Sequence, residues 1–192
     1  MPRIEDSVLV LLAAGRSTRF GAGRHKLHQE LFGRQLGEVA AATLAALPFR
    51  ERVAVTAAGG LDLAALGFRQ VVNPDPAAGM GRSVSLGVEV ADKLGAAAVL
   101  VALADMPCVT AAHVERLFAA AGAAGVVASS DGHAAKPPAL FTRDQFARLR
   151  ALSGDVGARA LLRDAVLVSA PVDDLVDVDT AEELERLRGR LG

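Results

Sequence analysis

Val8-Leu9-Val10-Leu11-Leu12, running on into Ala13-Ala14-Gly15-Arg16-Ser17-Thr18-Arg19-Phe20-Gly21-Ala22-Gly23-Arg24-His25-Lys26-Leu27, is the stretch that decides the fold. The unbroken apolar run reads as a strand buried on both faces, and the residues after it form a long loop of small and cationic side chains. A buried strand that opens into such a loop is how α/β proteins build phosphate sites. Glycines let the backbone approach an anion, while free N–H groups with Arg and Lys supply positive charge. Two common phosphate loops are excluded by spacing. A P-loop needs G-x4-G-K-[ST], but Gly15 and Gly21 are one residue too far apart and no Lys follows Gly21. A dinucleotide fingerprint needs G-x-G-x-x-G, which does not occur in this loop. A different kind of nucleotide loop remains.

Composition narrows the partners. The chain has 192 residues and is 52% hydrophobic, enough for one domain, residues 1–192, with a sizeable core. It has no Trp or Tyr and a net charge of -1, which disfavours both an aromatic stacking platform and a basic nucleic-acid footprint. No apolar run approaches membrane-spanning length and the N-terminus lacks a signal-peptide pattern, so a cytoplasmic protein that binds neither nucleic acid nor membrane is expected. Cys108 is the only cysteine, and no adjacent base marks it as a nucleophile. Arg greatly outnumbers Lys: Lys26, Lys93 and Lys136 are the only lysines. A Lys inside the glycine loop therefore points to a compact charge wanted there.

Along the chain, apolar runs alternate with helix-period segments. Strands are expected near residues 8–12, 53–56, 70–72, 98–103, 126–128, 139–141 and 166–169. Helices are expected near 37–47, 61–66, 81–94, 111–121, 143–151, 156–163 and 180–190. This alternation predicts a three-layer α/β domain, a mostly parallel Rossmann-like sheet with helices on both faces. The prolines of the second half predict antiparallel or edge strands there. Ligands sit beyond the carboxyl ends of such strands, so the loops after residues 12, 72 and 103 should converge on one crevice.

Those loops carry the chemistry. The pattern L-A-A-G-x-S-x-R-F-G-x-x-x-x-K-L resembles the signature of the MobA-like nucleotidyltransferases, and most closely that of the MocA-type molybdenum cofactor cytidylyltransferases. The stretch Asn73 to Gly87, with Gly79, Ser83 and Asn73 matching, resembles the family segment that contacts base and ribose; a Ser near a helix start also simply caps it. Ala102-Leu103-Ala104-Asp105-Met106-Pro107 resembles the L-x-D-x-P motif, whose Asp binds metal. Val176-Asp177-Val178-Asp179-Thr180 resembles the D-x-D-T segment that completes the metal site. Extended-chain alternation puts Asp177 and Asp179 on one face. Because Asp179 or Thr180 also suits a helix cap with a following capping-box Glu, Asp177 is the expected ligand and Asp179 the structural acid. Gly154-Asp155-Val156-Gly157-Ala158-Arg159 resembles the acceptor-side segment, which makes Asp155 and Arg159 acceptor-binding candidates. The chain departs from the family at Lys136-Pro137-Pro138: Lys136 stands where Gly is usual, and acceptor specificity is the property this touches. His25-x-x-His28 has no further Cys or His at ligand spacing and is not read as a zinc pair.

The resemblance implies a nucleotide-diphospho-sugar-transferase type of fold and a nucleotidyl transfer. A phosphate on an acceptor attacks the α-phosphorus of an NTP, and pyrophosphate leaves. Such a phosphate is already ionised, so no general base is needed, and catalysis reduces to positioning and charge neutralisation. Arg16, Lys26 and Asp105 are the implied catalytic residues. Arg16, Arg19 and Lys26 hold the triphosphate, and Leu12, Ala13, Ala14 and Gly15 read the base through the backbone. Asp105 and Asp177 hold Mg2+. Ala-Ala before the glycine is the CTP-using variant, which makes molybdopterin the implied acceptor and a hydroxylase-type molybdoenzyme the implied partner. The alternatives are another NTP or another phosphorylated acceptor such as a sugar phosphate, and, from a different class, a non-catalytic nucleotide-binding regulator or cofactor-insertion chaperone.

Overall fold

The computed structural model describes every residue except Arg16, Thr18, residues 21–24, Ala123, Ser153, residues 155–159 and Gly192, and for Leu191 the backbone only. The initial apolar run forms β1, Ser7–Ala13, and all seven of its residues are buried. It is flanked by two parallel strands, β4 (Glu51–Thr56) and β6 (Ala98–Leu103). A central parallel strand covered on both faces needs apolar side chains at every position, which is why no alternation appears in its sequence. The alternation appears in the packing. Leu9 and Leu11 point to one layer, formed by α1 (Leu36–Ala45) and α3 (Ala111–Ala120). Val8, Val10 and Leu12 point to the other, formed by α2 (Met80–Lys93) and α4 (Phe146–Arg150). Gly87 lets α2 lie close on the sheet, since a Cβ there would overlap the Val10 side chain.

The sheet continues with β5 (Arg69–Val72), β7 (Val126–Ser130), β8 (Ala135–Thr142) and β9 (Val166–Ser169). Its order is β5-β4-β1-β6-β8-β7-β9. The expected second-half irregularity is β8, antiparallel to both β6 and β7, with β9 parallel to β7 at the edge. The chain winds outward from β1 in both directions, to β4 and to β6, so the crevice at a reversal of strand order lies between β1 and β6.

Two local features differ from the expectation. Residues 61–66 form only a 3-10 turn at Ala64–Leu66, because Asp62 caps the Ala64 N–H and Gly67 ends the turn in the left-handed region at φ 79°. The chain also makes a small hairpin, β2 (Glu30–Leu31) with β3 (Arg34–Gln35), too short to leave a periodic signal. The segment expected as a helix over 156–163 lies largely outside the described residues. The last helix, α5 (Ala181–Leu191), starts where expected. Thr180 Oγ1 accepts the Glu183 N–H at 3.2 Å, and Glu183 Oε2 accepts the N–H groups of Asp179 and Thr180 at 2.8 and 2.9 Å. Thr180 is therefore the cap, with the reciprocal Glu that defines a capping box.

One buried polar chain ties α3 to the β7–β8 pair. The Arg116 guanidinium donates to His113 Nδ1 at 3.0 Å, which leaves the proton on Nε2 to reach Ser129 Oγ at 2.7 Å. Ser129 in turn donates to the Pro138 carbonyl at 2.7 Å. Every member is satisfied only when His113 is neutral. Burial, with the Arg116 charge adding to it, holds its pKa below the ordinary 6.5. The unfolded chain thus binds more protons below about pH 6.5, and stability is lost as pH falls through that range. In urea unfolding, His113→Ala is expected to cost about 1–3 kcal/mol near pH 7.5, because Ser129 and Arg116 lose a partner. The deficit relative to wild type should shrink near pH 5.5. A deficit that is constant with pH would contradict the neutral-histidine arrangement.

Candidate active site

Two packing events assemble the site. The first fixes the cationic loop. Phe20 is buried with Leu31 and Leu36 from the hairpin region and with Val178, Leu184 and Leu187 from the C-terminal segment. Burying one Phe contributes on the order of 2–3 kcal/mol, and here it joins two stretches about 160 residues apart in sequence. The second event is a backbone bond, Val178 N–H to the Asp105 carbonyl at 2.9 Å. It locks the segment between Asp177 and Asp179 against the end of β6.

As a result Lys26, Asp105 and Asp179 meet. Lys26 Nζ donates to Asp105 Oδ2 at 2.5 Å and to Asp179 Oδ1 at 2.7 Å. The second Asp179 oxygen takes Arg19 at 2.6 Å. The Lys26 residue is only 7% exposed. Burial works against its charge, but the two carboxylates outweigh it and leave the pKa above the ordinary lysine value. Burial raises the Asp105 carboxyl above its ordinary range in spite of Lys26, and Asp179 and Asp177 add to the rise. Asp105 Oδ1 is buried and has no hydrogen-bond partner among the described residues.

This centre lies where two cavities join. The smaller, about 340 Å³, is lined by Leu12, Ala14, Gly15, Lys26, Gly79 and Ser83 among others. These are residues the sequence motifs single out, drawn from the loop after β1, from α2 and from the glycine that precedes it. Among the described residues a Cβ built on Gly15 would meet nothing within 4 Å, so the bare backbone leaves open space at the cavity wall. Gly79 stands at φ 90°, a conformation that glycine alone adopts readily, as the chain turns into α2. Ser83 is not the cap of α2. Buried one turn in, it accepts a hydrogen bond from Asn73 Nδ2 at 2.9 Å. Asn73 Oδ1 takes the Asp75 N–H at 3.0 Å. Asn73 therefore braces the loop from behind, and the Ala13 side chain points into the core. The larger cavity, about 690 Å³, has apolar walls that include Val101, Ala139, Phe141 and Leu149. Arg19, Asp177 and Asp179 line it as well. Both cavities share Met80, Leu103 and Asp105.

Asp179, expected as a structural acid, holds both cations, while Asp177 faces the larger cavity. Among the described residues no group of three His, Cys, Asp or Glu side chains could by itself hold a metal ion. The orphaned Asp105 Oδ1, with Asp177 on the shared cavity, still fits a hard cation, which takes one or two carboxylates and completes its shell with phosphate oxygens and water. His28 Nδ1 lies 2.7 Å from Gln35 Oε1, and the His25 ring meets it edge-on at 5.1 Å. Arg16, Asp155 and Arg159 lie outside the described residues. Phe20 escaped the sequence reading because an aromatic inside a polar loop carries no period.

Residues 9–172 match the family model of the MobA-like NTP transferase domain. The chain belongs to that family. It is 32% identical to the purine catabolism protein PucB of Bacillus subtilis (strain 168), over 93% of this chain and 94% of that protein. A nucleotidyl transferase from Methanothermobacter superposes with a TM-score of 0.79 at 23% identity, covering 96% of each chain. Rv0371c of Mycobacterium tuberculosis, solved in complex with manganese, superposes with a TM-score of 0.75 at 22% identity, covering 96% of this chain and 99% of that one. The protein is thus a nucleotidyltransferase of MobA-like type with the expected mixed sheet. Among the described residues no helix is long and apolar enough to cross a membrane.

Proposed function

We propose that the protein transfers CMP from CTP to a phosphorylated acceptor, molybdopterin, and releases pyrophosphate. The observation that carries this reading is the pair of cavities meeting at Asp105. A donor nucleotide seats in the smaller one, the acceptor in the larger, and their phosphates face each other at the junction. The open wall at Gly15 accepts the base against the backbone, with Ala14 beside it. Ser83, held by Asn73 from behind, lines the same cavity. Lys26 and Arg19 are drawn from their carboxylates toward the triphosphate, which offers them more negative charge. Arg16 adds a further cation from the same loop. Asp105 and Asp177 would hold a divalent cation, Mg2+ in this reading, which supplies charge neutralisation on the phosphate oxygens. The manganese complex of Rv0371c supports a divalent ion in this fold. The acceptor phosphate attacks in line without a base, so the residues position and neutralise and do not move protons. A hydroxylase-type molybdoenzyme is the expected recipient of the dinucleotide product.

Base choice tests the reading. Ala14 lines the smaller cavity and a methyl there takes up room that a bare backbone would leave, so a pyrimidine is expected over a purine. Steric selection of this kind is worth about 1–3 kcal/mol. Wild-type protein should favour CTP over GTP by at least about tenfold in kcat/KM, and Ala14→Gly should relax that ratio. Steady-state kinetics of pyrophosphate release with each of the four NTPs and molybdopterin decides it. Equal or better use of GTP would remove the cytidylyl assignment and leave the nucleotidyl transfer.

A further inference from the structure

The larger cavity is not electrically uniform. Asp105, Asp177 and Asp179 lie on it, its walls are aliphatic with one Phe, and three basic side chains that the proposed transfer does not use also line it: His133, Lys136 and Arg163. Lys136 is delivered there by an irregularity in the sheet. In the β7–β8 pair Ala128 faces Ala139, but the next residue, Ser129, faces Lys136, so Pro137 and Pro138 are extra on β8. Irregularities of this kind re-aim side chains beside functional sites. The ammonium is then held in place. Lys136 Nζ donates to Asp131 Oδ2 at 2.8 Å, and the Lys136 side chain is 34% exposed. The other Asp131 oxygen is already engaged by the His133 and Ala134 N–H groups at 3.0 and 3.2 Å. Asp131 is thus anchored by its own turn, and it fixes Lys136 at the cavity where an unpaired lysine would trail into water. An ammonium has three donors, and Asp131 occupies one of them.

The pair keeps its lysine one-third exposed and its acid nearly covered, and so it sets a fixed cation on the cavity wall beside the aliphatic side chains. The reacting phosphate does not need it, because that phosphate must lie at the Asp105 junction with Lys26 and Arg19. We propose that Lys136, supported by His133 and Arg163, is a second anion-recognition point in the acceptor cavity, so that the acceptor class is a phosphomonoester carrying a further anionic group. This rests on the larger cavity being the acceptor site. It assigns specificity to a residue that departs from the glycine usual in the family.

The test uses probes that do not depend on molybdopterin. A homologous series of alkanediol bisphosphates is titrated into the full-length protein by calorimetry, against monoalkyl phosphates of matching length. The best-fitting bisphosphate should bind at least about tenfold tighter than its monophosphate, the scale of one charge-assisted hydrogen bond. Lys136→Met should bring the two within about twofold, Lys136→Arg should keep most of the difference, and the CTP dissociation constant should not change in either variant. Raising the salt should erode the preference in wild type. No preference for any bisphosphate in wild type, or a preference that survives Lys136→Met, overturns the proposal. If molybdopterin supports no turnover with CTP while the preference holds, the acceptor named above falls and the anion point stands.

Discussion

Asp105→Asn is expected to lower nucleotidyl transfer by about 1000-fold or more and to leave the fold intact. Asp105 sits just past the end of β6 with one buried oxygen unpartnered and the other on Lys26. An amide of the same volume removes the charge that a divalent cation and Lys26 both need. Several kcal/mol of charge stabilisation at the reacting phosphates corresponds to about three powers of ten in rate. The fold tolerates the change because Lys26 retains Asp179 and because the tie to Val178 uses the Asp105 backbone, not its side chain. Pyrophosphate release at saturating Mg2+ and CTP gives the rate, and circular dichroism with thermal melting gives the fold. Near-normal release from a folded variant would remove Asp105 from the chemistry. Asp177→Asn is the companion: if it binds the same cation, its loss should be rescued in part by raising the metal concentration.

How far this was legible in the sequence depends on the range of each interaction. The central strands announced themselves because β1 and β6 are buried on both faces and must be apolar throughout. On the smaller cavity only Gly79 answers to a backbone demand, a turn at φ 90° that leaves a fixed letter, while Gly15 and Ser83 line the same cavity without one. The α5 cap was legible because a capping box is local. What escaped was set by long-range pairing. Nothing near Asp179 indicates that its two oxygens are taken by Lys26 and Arg19, more than 150 positions away. Alternation put Asp177 and Asp179 on one face, yet only the packing of Phe20 against Val178 and Leu184 decides which acid meets the cationic loop. The 61–66 segment failed in the opposite sense. Leu61 and Leu63 are buried and Leu66 partly so, but Gly67 ends the helix after one turn.

Lys26→Ala is expected to slow transfer by about 100-fold or more, the scale for one lost charge-stabilising donor, with a smaller effect on CTP binding. Lys26 touches acids from two separate segments while lining the smaller cavity. Without it, Asp105 and Asp179 face each other with no cation between them, so the melting temperature should fall as well. Stability alone therefore cannot separate a structural lysine from a catalytic one. Lys26→Arg can. Arginine keeps the charge, but its planar guanidinium is larger and presents donors in a fixed fork, whereas the Lys26 seat is nearly closed and takes a compact head between two carboxylates. If Lys26 only neutralises the acids, the arginine variant should recover most of both stability and rate. If it also places a point charge on the triphosphate, stability should recover in part while kcat stays well below wild type. Unchanged kcat in both variants, with CTP and acceptor saturating, would rule out the phosphate-clamp role and reduce Lys26 to a brace between the two halves of the site.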